Sequence, residues 1–278
     1  MNRKGGLTAV LSGGGAKAAA HLGALRVLRE AGLLPTRYVG TSMGAVIGCG
    51  LAAGLSCEEV EARLLSIRHR DIFRLDQGGL LRGIFARSVL RPEPFRRALE
   101  RLLPVTSFQD LRIPMSVTAT DLDTSDLLVF GAGGEDVPML DALCASCALP
   151  LFFPPHPVGG RRCADGGLRA VVPLEVASRF PAELVVAIDV GPGLDVQGEA
   201  GGREPPALLR LQGDAQRALM TSNTLAQRAL WLRTSGLPPL WWIRPRVRRG
   251  ETFATEQLQW YIAEGERAAR AILAEHRP

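Results

Sequence analysis

The chain has 278 residues and a mass of 29.8 kDa, with 46% hydrophobic and 22% charged residues. A chain of this size and make-up can bury a full core without disulfide or metal staples, which excludes a disordered segment and a small cystine scaffold. Lys+Arg 33 against Asp+Glu 28 leaves +5, nearly all of it Arg, and no basic run is interleaved with aromatics; nucleic acid is not expected as a partner, whereas an anionic membrane face is compatible with the charge.

Leu7 to Leu11 is a short apolar run that enters a glycine turn, Ser12-Gly13-Gly14-Gly15, and reads as a buried strand. Apolar residues then recur at helical spacing from Ala16 to Ala31, and Gly32 and Pro35 close that helix. Tyr38-Val39-Gly40 reads as a strand end, Met43 to Ala53 as a helix of small residues, and Ser56 to Glu59 as a capping box opening a helix to Ile67. Tyr38 to Cys57 carries no charge over a span long enough to cross a bilayer, but its five glycines favour a buried strand–turn–helix.

Residues 70–90 are irregular and Gly-rich, the pattern of a lid or insertion. Pro92 to Leu102 and Pro138 to Ser146 are predicted helices. Met115 to Thr120 and Leu127 to Phe130 are predicted strands around a polar turn. Pro150 to Pro157, with four Pro and two Phe, is predicted as a rigid loop whose start, Leu149 to Phe153, lines a groove. Leu184 to Val190 is a continuous apolar run, as interior parallel strands are. Residues 191–206 are Gly/Pro-rich. Two long helices, Ala207 to Leu232 and Thr255 to Leu273, flank a last strand at Leu240 to Ile243. Strands alternating with helices predict an α/β fold: one parallel-rich central sheet with helices on both faces. The expected organisation is one domain over 1–278, with its core at 7–190 and a C-terminal extension at 207–275.

Five cysteines at irregular spacing and an N-terminus without an apolar signal region predict a reducing compartment, hence a cytoplasmic protein, peripheral at most to the inner membrane face. Cys144 and Cys147 form a lone C-x-x-C and are expected to be packing thiols. No metal and no cofactor are expected.

Three constellations carry the chemistry. Gly40-Thr41-Ser42-Met43-Gly44 is a G-x-S-x-G between a strand and a helix, the context in which that motif lifts a nucleophilic hydroxyl out of the backbone at a helix N-terminus. Gly13-Gly14-Gly15-Ala16-Lys17-Ala18 is not a phosphate-binding Walker loop, because Lys17 is followed by Ala. It fits a dinucleotide fingerprint, but no Asp or Glu occurs between Ala31 and Cys57 to hold a ribose. An oxyanion hole of backbone N–H groups fits it better. For the base, an order of Ser, acid, His would leave only His276 near the end of the chain, a poor place for a precisely held group. His21 falls at an apolar helix position and reads as structural; His156 reads as a wall residue. Asp165-Gly166-Gly167 supplies an Asp that could take the serine proton directly if its surroundings raise its basicity.

Taken together, Leu11-Ser-Gly-Gly-Gly-Ala-Lys17, His21-Leu-Gly-Ala-Leu25, Gly40-Thr-Ser-Met-Gly-Ala45, Ala145-Ser-Cys-Ala-Leu-Pro150, Phe153-Pro-Pro155 and Asp165-Gly-Gly167 resemble the patatin-like phospholipase family in order and spacing. The resemblance implies a three-layer fold and a Ser/Asp dyad without His, acting on acyl esters of lipids. Carried over, Ser42 is the nucleophile, Asp165 the general base, and Gly13, Gly14 and Gly15 the oxyanion donors, with Lys17, Gly40, Gly44, Gly166 and Gly167 as motif support. Lys17 stands where the family usually has Arg, Ala18 where it usually has Gly, and Arg169-Ala-Val-Val-Pro173 where Asn often precedes Pro. The alternative implied by those departures is a membrane-associated adaptor of the same fold with a weak dyad.

Overall fold

The computed structural model describes residues 5–67, 72, 88–192, 207–247 and 255–276. The insertion expected over 70–90 and the stretch 191–206 fall almost wholly outside them.

Among the described residues, eight strands form one sheet: β1 (Leu7–Leu11), β2 (Pro35–Thr41), β3 (Met115–Asp121), β4 (Leu127–Gly131), β5 (His156–Val158), β6 (Arg161–Asp165), β7 (Leu184–Ile188) and β8 (Leu240–Ile243). The run β8-β7-β1-β2-β3 is parallel throughout. β4, β6 and β5 join antiparallel, so the sheet is mixed and mostly parallel. Eight described helices surround it: α1 (Ala20–Glu30), α2 (Met43–Ala52), α3 (Cys57–Ser66), α4 (Pro92–Leu102), α5 (Met139–Ser146), α6 (Leu174–Ala177), α7 (Ala207–Arg233) and α8 (Leu258–Glu275).

Strand side chains alternate between two apolar layers, as the two-residue period of a pleated strand requires. Ala9, Leu11, Val186 and Ile188 face the layer built with α1, α2 and α8. Val10, Val39, Val185 and Ala187 face the opposite layer, with Leu174 and Val176 of α6 and Trp231 of α7. Helices therefore cover both faces. β8 extends the sheet, and α8 lies so close on α1 that a Cβ at Gly23 would come within 1.9 Å of the Ile262 carbonyl oxygen and one at Gly265 equally close to that of Ala20.

The capping box is formed: the Ser56 hydroxyl accepts the Glu59 N–H at 3.1 Å, and the Ser56 N–H donates to Glu59 Oε2 at 2.7 Å. Two expectations are corrected. The first helix does not begin at Ala16; Gly15–Ala19 is a 3-10 turn, and α1 starts at Ala20. The loop expected to run to Pro157 ends earlier, because His156–Val158 and Arg161–Asp165 form an antiparallel pair of strands.

β4 hydrogen-bonds along β3 from Ser116 to Thr120. That occupies one edge of β3, so β2 and β6 share the other. β2 pairs up to Thr41 opposite Thr118, and β6 takes over with Asp165 opposite Ala119. The two strands thus meet end to end on β3, and the turn that leaves Thr41 is brought against Asp165.

Candidate active site

Ser42 stands between β2 and α2 with φ 53° and ψ −132°, backbone angles that cost a non-glycine residue about 1–3 kcal/mol. The surroundings hold it there. Its N–H donates to the buried Ser146 hydroxyl at 2.8 Å, and its carbonyl accepts the N–H groups of Ala45 and Val46. Side chains on either side of the turn are forbidden: a Cβ at Gly40 would sit 2.8 Å from Ala45 backbone atoms, and one at Gly44 2.4 Å from the Ser12 carbonyl oxygen. Thr41 is locked below by hydrogen bonds to Thr118 Oγ1 at 2.7 Å and the Ala170 carbonyl at 2.9 Å.

Asp165 is clamped through its backbone, its N–H donating to Ala148 and its carbonyl accepting from Thr120 Oγ1, each at 3.0 Å. Its carboxylate accepts the Gly167 N–H at 2.7 Å. Gly166 is needed because a Cβ there would lie 2.5 Å from the Thr118 carbonyl oxygen. The carboxyl is only 5% exposed. Burial raises it to about 6, and the hydrogen bonds from Gly167 and the Ser42 hydroxyl pull the other way. The Asp165 carboxyl thus lies near the Ser42 side chain. Cys147 is buried beside them, and its thiol is pushed far up by burial.

The glycine loop comes up beside Ser42: a Cβ at Gly13 would lie 3.3 Å from Ser42 Cβ. Gly13 departs from its expected part. Its N–H donates to the Val171 carbonyl at 3.0 Å, so it is already engaged in holding the loop. Among the described residues, no acceptor takes the Gly14 N–H or the Gly15 N–H. Gly14 must lack a side chain because Val190 Cγ2 would be 2.7 Å from its Cβ, and Gly15 turns with φ +60°. Lys17 is buried, and its charge helps offset that of the buried Asp189, which burial raises and Arg244, Gly191 N–H, Lys17 and Arg228 lower.

The histidines lie elsewhere. His21 is fully buried, with Nε2 2.9 Å from the Ser12 carbonyl oxygen, and burial lowers it to about 4. His156 is 3.5 Å from Asp141, itself held by Arg96. His276 packs on Trp241. His69 lies outside the described residues. Phe153, expected at a groove wall, is core, its ring 5.3 Å from that of Phe95; Leu149 to Phe152 remain half-buried.

Four contributors carry no signal that singles them out from the residues alone. Ser146 and the Val171 carbonyl have no local signature beyond lying in or near the matched stretches. Asn223 of α7 donates its amide to the Arg169 carbonyl, and Gln227 does so at 3.5 Å, closing the turn after Gly167 where the family's Asn is absent.

A patatin-like phospholipase family model matches residues 9–178. The chain is 34% identical over 192 residues to NTE family proteins of Mycobacterium bovis and Mycobacterium tuberculosis, covering 67% of this chain and 51% of theirs. It is 30% identical over 189 residues to human patatin-like phospholipase domain-containing protein 6, covering 66% of this chain and 13% of that one. It therefore spans about half the length of the mycobacterial relatives and a small part of the human one. Among solved structures, VipD from Legionella pneumophila superposes with a TM-score of 0.50 at 16% identity, over 98% of this chain and 67% of that one, a likeness of fold.

Proposed function

Because the chain belongs to the patatin-like phospholipase family, we propose that it is a serine acyl hydrolase that cleaves acyl esters of lipids with Ser42 as nucleophile and Asp165 as general base. The observation that carries this reading is the pair itself: a buried carboxylate raised to about 6 beside a serine hydroxyl on a strained turn.

At neutral pH Asp165 is mostly ionised, yet far more basic than an ordinary aspartate, which is what a general base needs. It takes the Ser42 proton as Oγ bonds to the ester carbonyl carbon. Negative charge gathers on the carbonyl oxygen, where the Gly14 and Gly15 N–H groups receive it. The C–O bond then breaks, and the leaving alcohol takes the proton from Asp165. Water repeats the sequence: Asp165 accepts its proton, the oxygen attacks the acyl carbon, and Ser42 leaves with that proton as the free acid forms.

No described helix is long and apolar enough to cross a membrane. We place the reaction at the surface of a membrane in a reducing compartment; the five free cysteines support the compartment, and the excess of arginine suits an anionic face.

Intact mass after treatment with a fluorophosphonate probe tests the reading. A single adduct on the wild type that is absent from Ser42→Ala is the expected result. No adduct on folded wild type overturns it and leaves the adaptor reading.

A further inference from the structure

α7 runs for 27 residues, and its inner side is accounted for. Met220 packs against Gly167 at the site, Thr221 and Thr224 are buried, and Trp231 is buried with its indole N–H on the Pro238 carbonyl. The outer side faces solvent. Leu211, Ala215, Ala218, Ser222, Leu225 and Ala229 are all exposed, and they step along the helix in alternating fours and threes. Leu232 continues the series, and Leu219, 73% exposed, widens it. From Leu211 to Leu232 the charged residues are half-buried rather than fully exposed; among them Asp214 and Arg217 pair with each other.

An uncharged leucine face of this length is a contact surface. Its period identifies the contact. A lipid surface asks only for large apolar groups on one side of a helix. A spacing of 3.5 residues is what a second helix reads, and the small residues leave room for the leucines of a neighbour.

We propose that α7 pairs antiparallel with α7 of a second copy of this chain. One register sets Leu211 against Ala229 of the second copy, Ala215 against its Leu225, and Ala218 against its Ser222. Each of these leucines meets a small residue, and each pair occurs twice about the two-fold axis. The same register places the two copies of Leu219 against each other, while Asp214, paired with Arg217, and Arg228, over the Trp242 ring, stay at the margin. At 1.5 Å per residue this seam is roughly 28 Å long, and half the lateral surface of a helix about 10–12 Å across buries on the order of 500 Å² per copy. The total, about 1,000 Å², is where specific interfaces begin, so the dimer forms and dissociates with concentration.

Sedimentation velocity over a concentration series tests this. Wild type moves from monomer to dimer as concentration rises. Leu219→Glu, at an exposed position, stays monomeric at every concentration with an unchanged thermal melt. Under mild oxidation Leu219→Cys forms a disulfide-linked dimer and Leu211→Cys does not. A wild type that is monomeric throughout overturns the proposal, as does a dimer that Leu219→Glu leaves intact. Monomer that binds phosphatidylglycerol–phosphatidylcholine vesicles through Leu219 also overturns it and gives the face to lipid. Fluorophosphonate labelling in the same samples is independent of the dimer, so the two proposals fail separately.

Discussion

The hydroxyl of Ser146 accepts the backbone N–H of Ser42 at 2.8 Å, a buried bond between residues 104 positions apart. Ser42 has strained angles, and this bond opposes their relaxation. Ser146→Ala leaves a buried N–H without an acceptor, at a cost of about 1–3 kcal/mol. The expected result is a lower Tm and a kcat reduced on the order of tenfold or more, with KM unchanged, since a small shift of the reacting oxygen is felt mainly in the chemical step. A lower Tm with unchanged kcat would make Ser146 a purely structural residue.

Asp165 acts as a base only when ionised. Its carboxyl titrates at about 6, so kcat/KM falls as pH drops through about 6 and is flat just above neutrality. An ordinary aspartate would place that limb about two units lower. A pH–rate profile on a soluble ester distinguishes the two, and Asp165→Asn is expected to show neither turnover nor probe adduct.

The same carboxyl makes a prediction about stability. Its folded value lies above its ordinary one of 3.8. Between 3.8 and about 6 the folded state holds more protons, so this group's contribution falls as pH rises, by roughly 3 kcal/mol in all. Asp165→Asn should therefore raise Tm at pH 8 and leave it unchanged at pH 4. His21 runs the other way: lowered from 6.5 to about 4, it is stabilising above 6.5, and its contribution is lost as pH falls toward 4. The two slopes oppose each other across one window. Melting curves of Asp165→Asn should lose more stability on acidification from pH 6.5 to 4 than those of the wild type.

Two glycines separate folding from activity. A Cβ at Gly44 would meet the carbonyl oxygens of Ser12 and Leu11 at 2.4 and 2.5 Å, both backbone, so Gly44→Ala is expected not to yield folded protein. Gly15 has φ +60°, where alanine costs about 1–2 kcal/mol. Gly15→Ala should fold, label slowly with the probe and turn over on the order of 10- to 100-fold less, because a donor displaced by a fraction of an ångström stabilises the oxyanion poorly. Circular dichroism with labelling kinetics checks both.

How far residues alone carry depends on how local the cause is. The strands Leu7–Leu11 and Leu184–Ile188 are readable because strands buried on both faces are near-continuous apolar runs, broken here only by Thr8. The turn at Ser42 is readable because its geometry excludes side chains at fixed offsets, and the capping box because it closes within four residues. His156–Val158 and Arg161–Asp165 are not. They are short and polar, contain Pro157, Arg161 and Arg162, and pair at the sheet margin, so their chain shows no apolar period. Gly13 is a similar case: a glycine turn displays three N–H groups as candidates, and only the approach of Val171 from across the fold takes one away.

By itself the sequence determined the types of most elements, the strained turn, the glycine loop and the family to which they belong, since each rests on patterns set within a few residues. Tertiary structure decided the encounter of Ser42 with Asp165. It depends on β4 filling one edge of β3, so that β2 and β6 must end against each other on the opposite edge. It decided the basicity of Asp165 as well, because the desolvation that raises it is imposed by the packing that closes over the carboxyl.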